Sequence, residues 1–256
     1  MTTDSTDHKA VVLSNLSIGY HSRNNERIVA SGVNAALYRG SLTCLLGPNG
    51  VGKSTLLRTL AGFQPPLEGG ILLAGRRLDE YSARELAQTI GVVLTEKPDV
   101  GMMTAEELIA LGRSPYTDFW GRLTRQDREA VEEALVMVGI ETLAKRQVST
   151  LSDGERHKVM IAKALAQQTD IIFLDEPTAF LDYPSKVDVL RLLHKICHEA
   201  DKAVFLSTHD LELTLKVADT LWLMTRDEGI LTGTPRQMEA AGALKRHLDF
   251  PFTYCV

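Results

Sequence analysis

Gly47-Pro48-Asn49-Gly50-Val51-Gly52-Lys53-Ser54-Thr55 follows the apolar run Ser41-Leu42-Thr43-Cys44-Leu45-Leu46 and leads into Leu56-Leu57-Arg58-Thr59-Leu60. Apolar run, glycine-rich turn and helical start, in that order, spell a phosphate-binding loop between a buried strand and a helix. Glycines let the backbone wrap a phosphate chain with its N–H groups inward, and the helix N-terminus adds partial positive charge. The G-x-x-x-x-G-K-S spacing assigns Lys53 to the β- and γ-phosphates and the Ser54 hydroxyl to Mg²⁺. The complete pattern, with both flanks correct, sets it apart from an ordinary Gly/Asn-rich turn.

Outward from this loop, five apolar runs at 42–46, 90–94, 171–174, 203–206 and 221–224 are nearly continuous rather than alternating. That is the pattern of strands covered on both faces, and helical segments between them favour an α/β parallel sheet with right-handed crossovers. Stretches 11–20, 28–38 and 70–74 are shorter and more mixed. They predict a small, mainly antiparallel sheet beside the nucleotide. Between the second and third runs the chain turns helical: Thr104 and Glu107 fit a capping box. Val131, Ala134, Leu135 and Val138 recur at helical spacing until Gly139 stops the helix. The expected fold is an α/β parallel-sheet core over 1–95 and 160–256, with an N-terminal antiparallel β subdomain and a helical subdomain inserted at 96–159.

A length of 256 residues suits one large domain carrying an inserted lobe. With 44% apolar and 24% charged residues the composition is that of an ordinary globular protein, and a net charge of −5 argues against nucleic-acid binding. The polar, acidic start at residues 1–8 lacks a secretory pattern, and no run reaches the eighteen or so apolar residues of a membrane span. Three scattered cysteines, Cys44, Cys197 and Cys255, do not form a disulfide or metal framework. The chain reads as cytosolic and reduced.

Asp170-Ile171-Ile172-Phe173-Leu174-Asp175-Glu176 is an apolar strand ending in adjacent carboxylates, at the edge where parallel sheets present ligand sites. Asp175 can bind Mg²⁺ through water, and Glu176 can polarise a water toward the γ-phosphate. Upstream, Leu151-Ser152-Asp153-Gly154-Glu155 precedes a helical run at 156–167. Ser152 and Glu155 fit a capping box, and Gly154 permits close backbone approach.

Together these motifs resemble the ATP-binding-cassette (ABC) ATPase family, whose signature L-S-G-G-Q/E stands before a helix and upstream of the acidic strand. The resemblance covers nearly the whole chain and implies a P-loop NTPase (RecA-like) core using ATP and Mg²⁺. It implies that residues Gly47 to Thr55 hold the phosphates and that Tyr20 stacks on adenine, the other reading of Tyr20 being a strand aromatic in the core. Asp182, in Ala179-Phe180-Leu181-Asp182, matches the D-loop, and His209, in Ser207-Thr208-His209-Asp210, matches the switch histidine that contacts the γ-phosphate. Two cassettes would face head to tail, so that Lys53, Ser54, Asp175, Glu176 and His209 of one copy act with Ser152 and Gly154 of the other. Two departures stand out. Thr95 occupies the position of the Q-loop glutamine, with Glu96 beside it as a possible substitute, and Asp153 replaces the first glycine of the signature.

Residues 110–116, 120–123 and Asp127 are similar to the helical lobe of importers for iron-siderophore, haem and cobalamin. The resemblance thus implies an ATPase subunit on the cytoplasmic face of the cell membrane, serving an integral membrane permease and, indirectly, a substrate-binding protein. A soluble ABC ATPase of iron–sulfur cluster assembly is the alternative, and a phosphate-loop small-molecule kinase would have no use for residues 151–155. Elsewhere plainer readings hold. His194 and His198 stand four apart, but with no carboxylate in company they read as a solvated helix face. Arg122, Arg125, Arg128 and Glu129 read likewise. Phe119 and Trp120, beside Pro115 and Tyr116, suit packing in the core of the helical lobe at least as well as docking a partner.

Overall fold

Two sheets organise the chain in the computed structural model, which describes residues 8–22, 25–95 and 100–248. The first is antiparallel, in the order β2-β1-β4-β5: β1 (Lys9–Ser22), β2 (Asn25–Tyr38), β4 (Glu68–Leu73) and the two-residue β5 (Arg76–Arg77). β1 and β2 run 14 residues each, longer than the sequence suggests. Register shifts interrupt their pairing at several points, and Asn15 adopts φ 48°, so inward and outward residues change places along the strand. Bulges of this kind blur a two-residue alternation.

The second sheet carries the order β10-β9-β3-β8-β7-β6. Its members are β3 (Ser41–Leu46), β6 (Ile90–Val93), β7 (Ile171–Asp175), β8 (Ala203–Ser207), β9 (Thr220–Met224) and β10 (Ile230–Gly233). All five predicted runs are here, mutually parallel from β9 through β6. β10 turns back antiparallel on β9 at the edge. The sequence reading was silent on this strand, whose four residues are only partly buried or exposed and so lack an apolar run.

Helices α1 (Lys53–Leu60), α2 (Ala83–Thr89), α3 (Ala105–Ala110), α4 (Arg125–Val138), α5 (Asp153–Ala166), α6 (Tyr183–Glu199), α7 (Leu211–Val217), α8 (Pro235–Ala240) and α9 (Ala243–His247) complete the fold. The sheet divides the apolar interior in two. One core joins the antiparallel sheet and α1 to one face through Leu45, Leu56, Phe173, Phe205 and Trp222. The other packs α3, α4, α5 and α6 through Leu108, Val131, Val159 and Leu193. The predicted caps form: Thr104 with Glu107 and Ser152 with Glu155 make reciprocal boxes, and Gly139 ends α4 at φ 71°.

Phe119 and Trp120 do not pack in the core; they are 94% and 76% exposed. Asp118 Oδ1 accepts the N–H groups of Trp120 (3.0 Å) and Arg122 (3.1 Å), a turn that ties the backbone down while the two rings stand edge to face against each other at 5.5 Å. Their neighbours do anchor. The Tyr116 hydroxyl donates to Gln167 O, and Pro115 O accepts from Arg84 and Gln88. Beneath them Arg113 pairs with Asp127 at 2.9 Å, both side chains 4% exposed, and Arg113 also donates to Ala166 O. Arg125 and Glu129 form the expected solvated pair.

Candidate functional site

Strand order decides which motifs meet. β3, β8 and β7 are adjacent and parallel, with Leu45 opposite Ser207 and Ser207 opposite Asp175. The phosphate loop, the acidic pair and the segment leading to His209 therefore leave the sheet side by side at its carboxyl edge.

The loop needs its glycines. Gly47 (φ 156°) carries no Cβ where one would lie 2.5 Å from Met224 O, and at Gly52 (φ 117°) a Cβ would lie 2.1 Å from Val29 Cγ1. α1 then begins without a side-chain cap or any acidic residue in its first turn, whereas α2 to α5 all carry capping boxes. Its leading N–H groups and positive end are thus left for an anion. Lys53 is buried and donates from Nζ to Gly47 O (2.8 Å) and Pro48 O (3.3 Å). Burial lowers its pKa, a shift opposed by the nearby charges of Glu176 and Asp175.

Ser54 Oγ donates to Asp175 Oδ1 at 3.3 Å, which brings together the two expected Mg²⁺ residues. Ser207 Oγ donates to the same carboxylate oxygen at 2.6 Å, while the Glu176 N–H donates to Ser207 Oγ at 2.9 Å. Glu176 takes φ 47°, unusual for a side chain of this kind, and its Oε2 lies 3.8 Å from His209 Nδ1. His209 shares with Gly47, Pro48 and Asn49 the wall of a cavity of about 350 Å³. Tyr20 is 46% exposed rather than in the core, and its hydroxyl shares a 2.8 Å hydrogen bond with Thr55 Oγ1.

Thr95 donates its hydroxyl to Asp175 O at 2.8 Å, which commits that group to the backbone of β7; Glu96 lies outside the described residues. Asp182 caps α6, accepting the Ser185 N–H at 3.2 Å. Ser152 Oγ accepts the Glu155 N–H at 3.3 Å, and a Cβ on Gly154 would lie 3.2 Å from Ser185 Oγ. The signature thus packs against the start of α6. Asp153 turns toward Arg156, its carboxylate 3.6 Å from that guanidinium. Ser207 is a site residue that the contiguous motifs do not reveal, and the contact of Thr55, already placed in the phosphate loop, with Tyr20 is likewise visible only in the fold. Ser207 stands in the motif at 207–210, but only strand register shows that its hydroxyl bridges both carboxylate residues.

A phosphate loop, an uncapped helix start and a carboxylate pair on one sheet edge define a P-loop nucleoside triphosphatase. Comparison narrows the class: the chain belongs to the ABC transporter family, whose model matches residues 30–179. It is a transport ATPase. It is 41% identical over 224 residues to an uncharacterized ABC transporter ATP-binding protein of Methanocaldococcus jannaschii, covering 88% of this chain and 76% of that one. It is 35% identical over 231 residues to the ferric enterobactin transport ATP-binding protein of Escherichia coli, covering 90% and 84%. Among solved structures it is similar to a dimeric ATP-binding cassette in a post-hydrolysis state with ADP and Pi. There the TM-score is 0.75 at 26% identity, covering 88% of this chain and 99% of that one.

Proposed function

We propose that this chain is the ATP-hydrolysing subunit of an importer for an iron-siderophore or a related metal chelate, haem or cobalamin. It would work as a head-to-tail dimer against a separate membrane permease on the cytoplasmic face of the cell membrane, the permease receiving its cargo from a substrate-binding protein. The observation that carries the reading is the 35% identity to the Escherichia coli ferric enterobactin transport protein across 90% of the chain. Supporting it, no helix among the described residues is long and apolar enough to cross a membrane, so a transporter needs another subunit for passage.

Within this reading Tyr20 presents its half-exposed ring to adenine, and Lys53 exchanges the Gly47 and Pro48 carbonyls for β- and γ-phosphate oxygens. The N–H groups of Gly50 to Thr55 and the positive end of α1 complete the cradle. Ser54 and Asp175 offer convergent hard oxygen donors, which fit Mg²⁺. When bound, the ion supplies charge neutralisation on the phosphates. Glu176 accepts the proton of the attacking water, and His209, beside it, holds the γ-phosphate. The partner subunit's Ser152 and the partner subunit's Gly154 would close the site from the far side, with Asp182 at the seam. ATP's greater affinity for the closed dimer drives closure, and loss of the γ-phosphate releases it.

The test is reconstitution in liposomes with a candidate membrane permease and its substrate-binding protein. Ferric-siderophore uptake that requires ATP inside and a loaded binding protein outside is expected. Failure to join any membrane complex, with binding to soluble iron–sulfur assembly partners instead, overturns the transport reading for this chain.

A further inference from the structure

His194 and His198 lie one turn apart on α6 with their rings stacked, centroids 4.2 Å apart and planes inclined by 26°. The carboxylate that sequence spacing lacked comes from Asp219, on the segment that enters β9. Its Oδ1 stands 3.4 Å from His198 Nε2, and one ligand atom from each of the three residues lies within 4.8 Å of the others.

We propose that His194, His198 and Asp219 form a binding site for a divalent transition-metal ion such as Zn²⁺ or Co²⁺. Their supports are those of a ligand set. His198 Nδ1 lies 2.8 Å from His194 O and 2.9 Å from Cys197 Sγ, whose thiol itself donates to His194 O at 3.0 Å; a carbonyl only accepts, so the ring proton on Nδ1 satisfies both contacts and leaves the Nε2 lone pair directed at Asp219. The other oxygen of Asp219 accepts the Leu42 N–H at 2.8 Å, and the Asp219 N–H donates to Leu42 O at 3.0 Å, so the carboxylate is held from both sides by β3. Ligating imidazoles and carboxylates are oriented in this way by backbone hydrogen bonds. With that tautomer, two acceptor atoms face each other across 3.4 Å. Such an arrangement calls for a cation between them.

Bonds of about 2.0–2.1 Å in a tetrahedron place donors about 3.4 Å apart, the separation already present between His198 and Asp219. His194 is exposed, so its ring can turn to complete the set, and solvent supplies the fourth ligand. Two nitrogens and one oxygen select Zn²⁺, Co²⁺ or Ni²⁺ over Mg²⁺. Leu42 is four residues upstream of Leu46, so the site sits about 13 Å back along β3 from the phosphate loop. It is independent of the nucleotide site and of what is transported. An ion here would fasten the C-terminal half of α6 to the entry of β9.

The full chain, stripped of metal with EDTA and held in excess Mg²⁺ to fill the hard-oxygen sites, is titrated with Co²⁺ and followed by visible absorption and thermal unfolding. One Co²⁺ per chain with the intense bands of low coordination, displaced by Zn²⁺ and raising Tm, is expected. His194→Gln and His198→Gln each lower the affinity at least about tenfold. Their Mg²⁺-dependent ATP hydrolysis, unchanged, shows that the variants are folded. Absence of Co²⁺ binding by the wild-type chain means that a proton alone bridges His198 and Asp219, and this overturns the proposal. Equal affinity in both variants places the ion elsewhere and does the same.

Discussion

The Ser207 hydroxyl donates to Asp175 Oδ1 across 2.6 Å, joining the end of β8 to the end of β7. Ser207 Oγ in turn accepts the Glu176 N–H, so one fully buried hydroxyl sets both the carboxylate assigned to Mg²⁺ and the backbone from which Glu176 turns into φ 47°. Two adjacent acidic residues are thereby positioned by one hydroxyl on the neighbouring strand.

Ser207→Ala leaves the Glu176 N–H with only Ser207 O, at 3.2 Å, and removes one of the two hydroxyl donors of Asp175. Stability should fall by about 1–3 kcal/mol, the range for loss of a buried hydrogen-bond partner. The Mg²⁺ concentration for half-maximal ATPase rate should rise, because Asp175 is no longer fixed. Urea unfolding and a Mg²⁺ titration of ATP turnover check both; Ser207→Thr should recover the metal response better than Ala if its hydroxyl keeps the bridge.

Arg113 and Asp127 form a charged pair inside the helical region, closed off by Tyr116, whose ring lies 3.9 Å from the guanidinium carbon. Arg113→Met strands the Asp127 carboxylate and should cost about 3–5 kcal/mol. The double change Arg113→Met, Asp127→Asn should recover part of it. Asp127 is held below its ordinary pKa chiefly by the Thr124 hydroxyl, then by the Thr124 N–H and Arg113, against the opposing effect of burial. A depressed carboxylate stabilises the fold fully above its unfolded pKa, and that contribution drains away as pH falls through the lowered folded value. Wild-type stability should therefore decline below about pH 4, with a shallower decline in Asp127→Asn, measured by denaturant unfolding at a series of pH values.

Motifs read from contiguous residues became structure as expected, because their physics is local. Lys53 and Ser54 follow a strand and open a helix, and the Asp175–Glu176 pair ends a buried strand. Relationships that depend on register were not legible. Ser207 meets Asp175 because β8 lies beside β7, Tyr20 meets Thr55 across 35 residues, and Asp219 reaches His198 from a segment that sequence spacing leaves unrelated. α8 does carry a local signal: Thr234 and Gln237 make a capping box with Pro235 in the first turn. Phe119 and Trp120 misled for the opposite reason. Aromatic residues suggest a core, but the Asp118 turn holds these two outside it.

Because Phe119 and Trp120 bury little within the chain, Phe119→Ser and Trp120→Ser should each change unfolding free energy by no more than about 0.5 kcal/mol. Basal ATPase rate should likewise stay at the wild-type value. Exposed aromatic pairs are the residue types that anchor protein interfaces. If this pair serves the permease, the double variant should co-purify less with the membrane subunits and lose transport-coupled turnover. Retained assembly would assign the pair no part in docking.

Glu176→Gln keeps the size and the backbone hydrogen bonds to Ser207, but removes the carboxylate proposed to accept the water's proton. ATP binding should persist, while hydrolysis should drop by about 10²–10⁴, the usual worth of a general base. Without cleavage the γ-phosphate remains, and the closed head-to-tail dimer should accumulate. Light scattering of the variant with ATP should then give twice the chain mass, and ADP should return it to monomer. Adding Ser152→Arg to this variant should abolish the dimer, because the bulky side chain would stand where the partner subunit's phosphate approaches. Monomers at saturating ATP in the single variant would mean that nucleotide is not shared between two copies, and Ser152 would then be left with its cap on α5 and Gly154 with its close approach to Ser185 of α6.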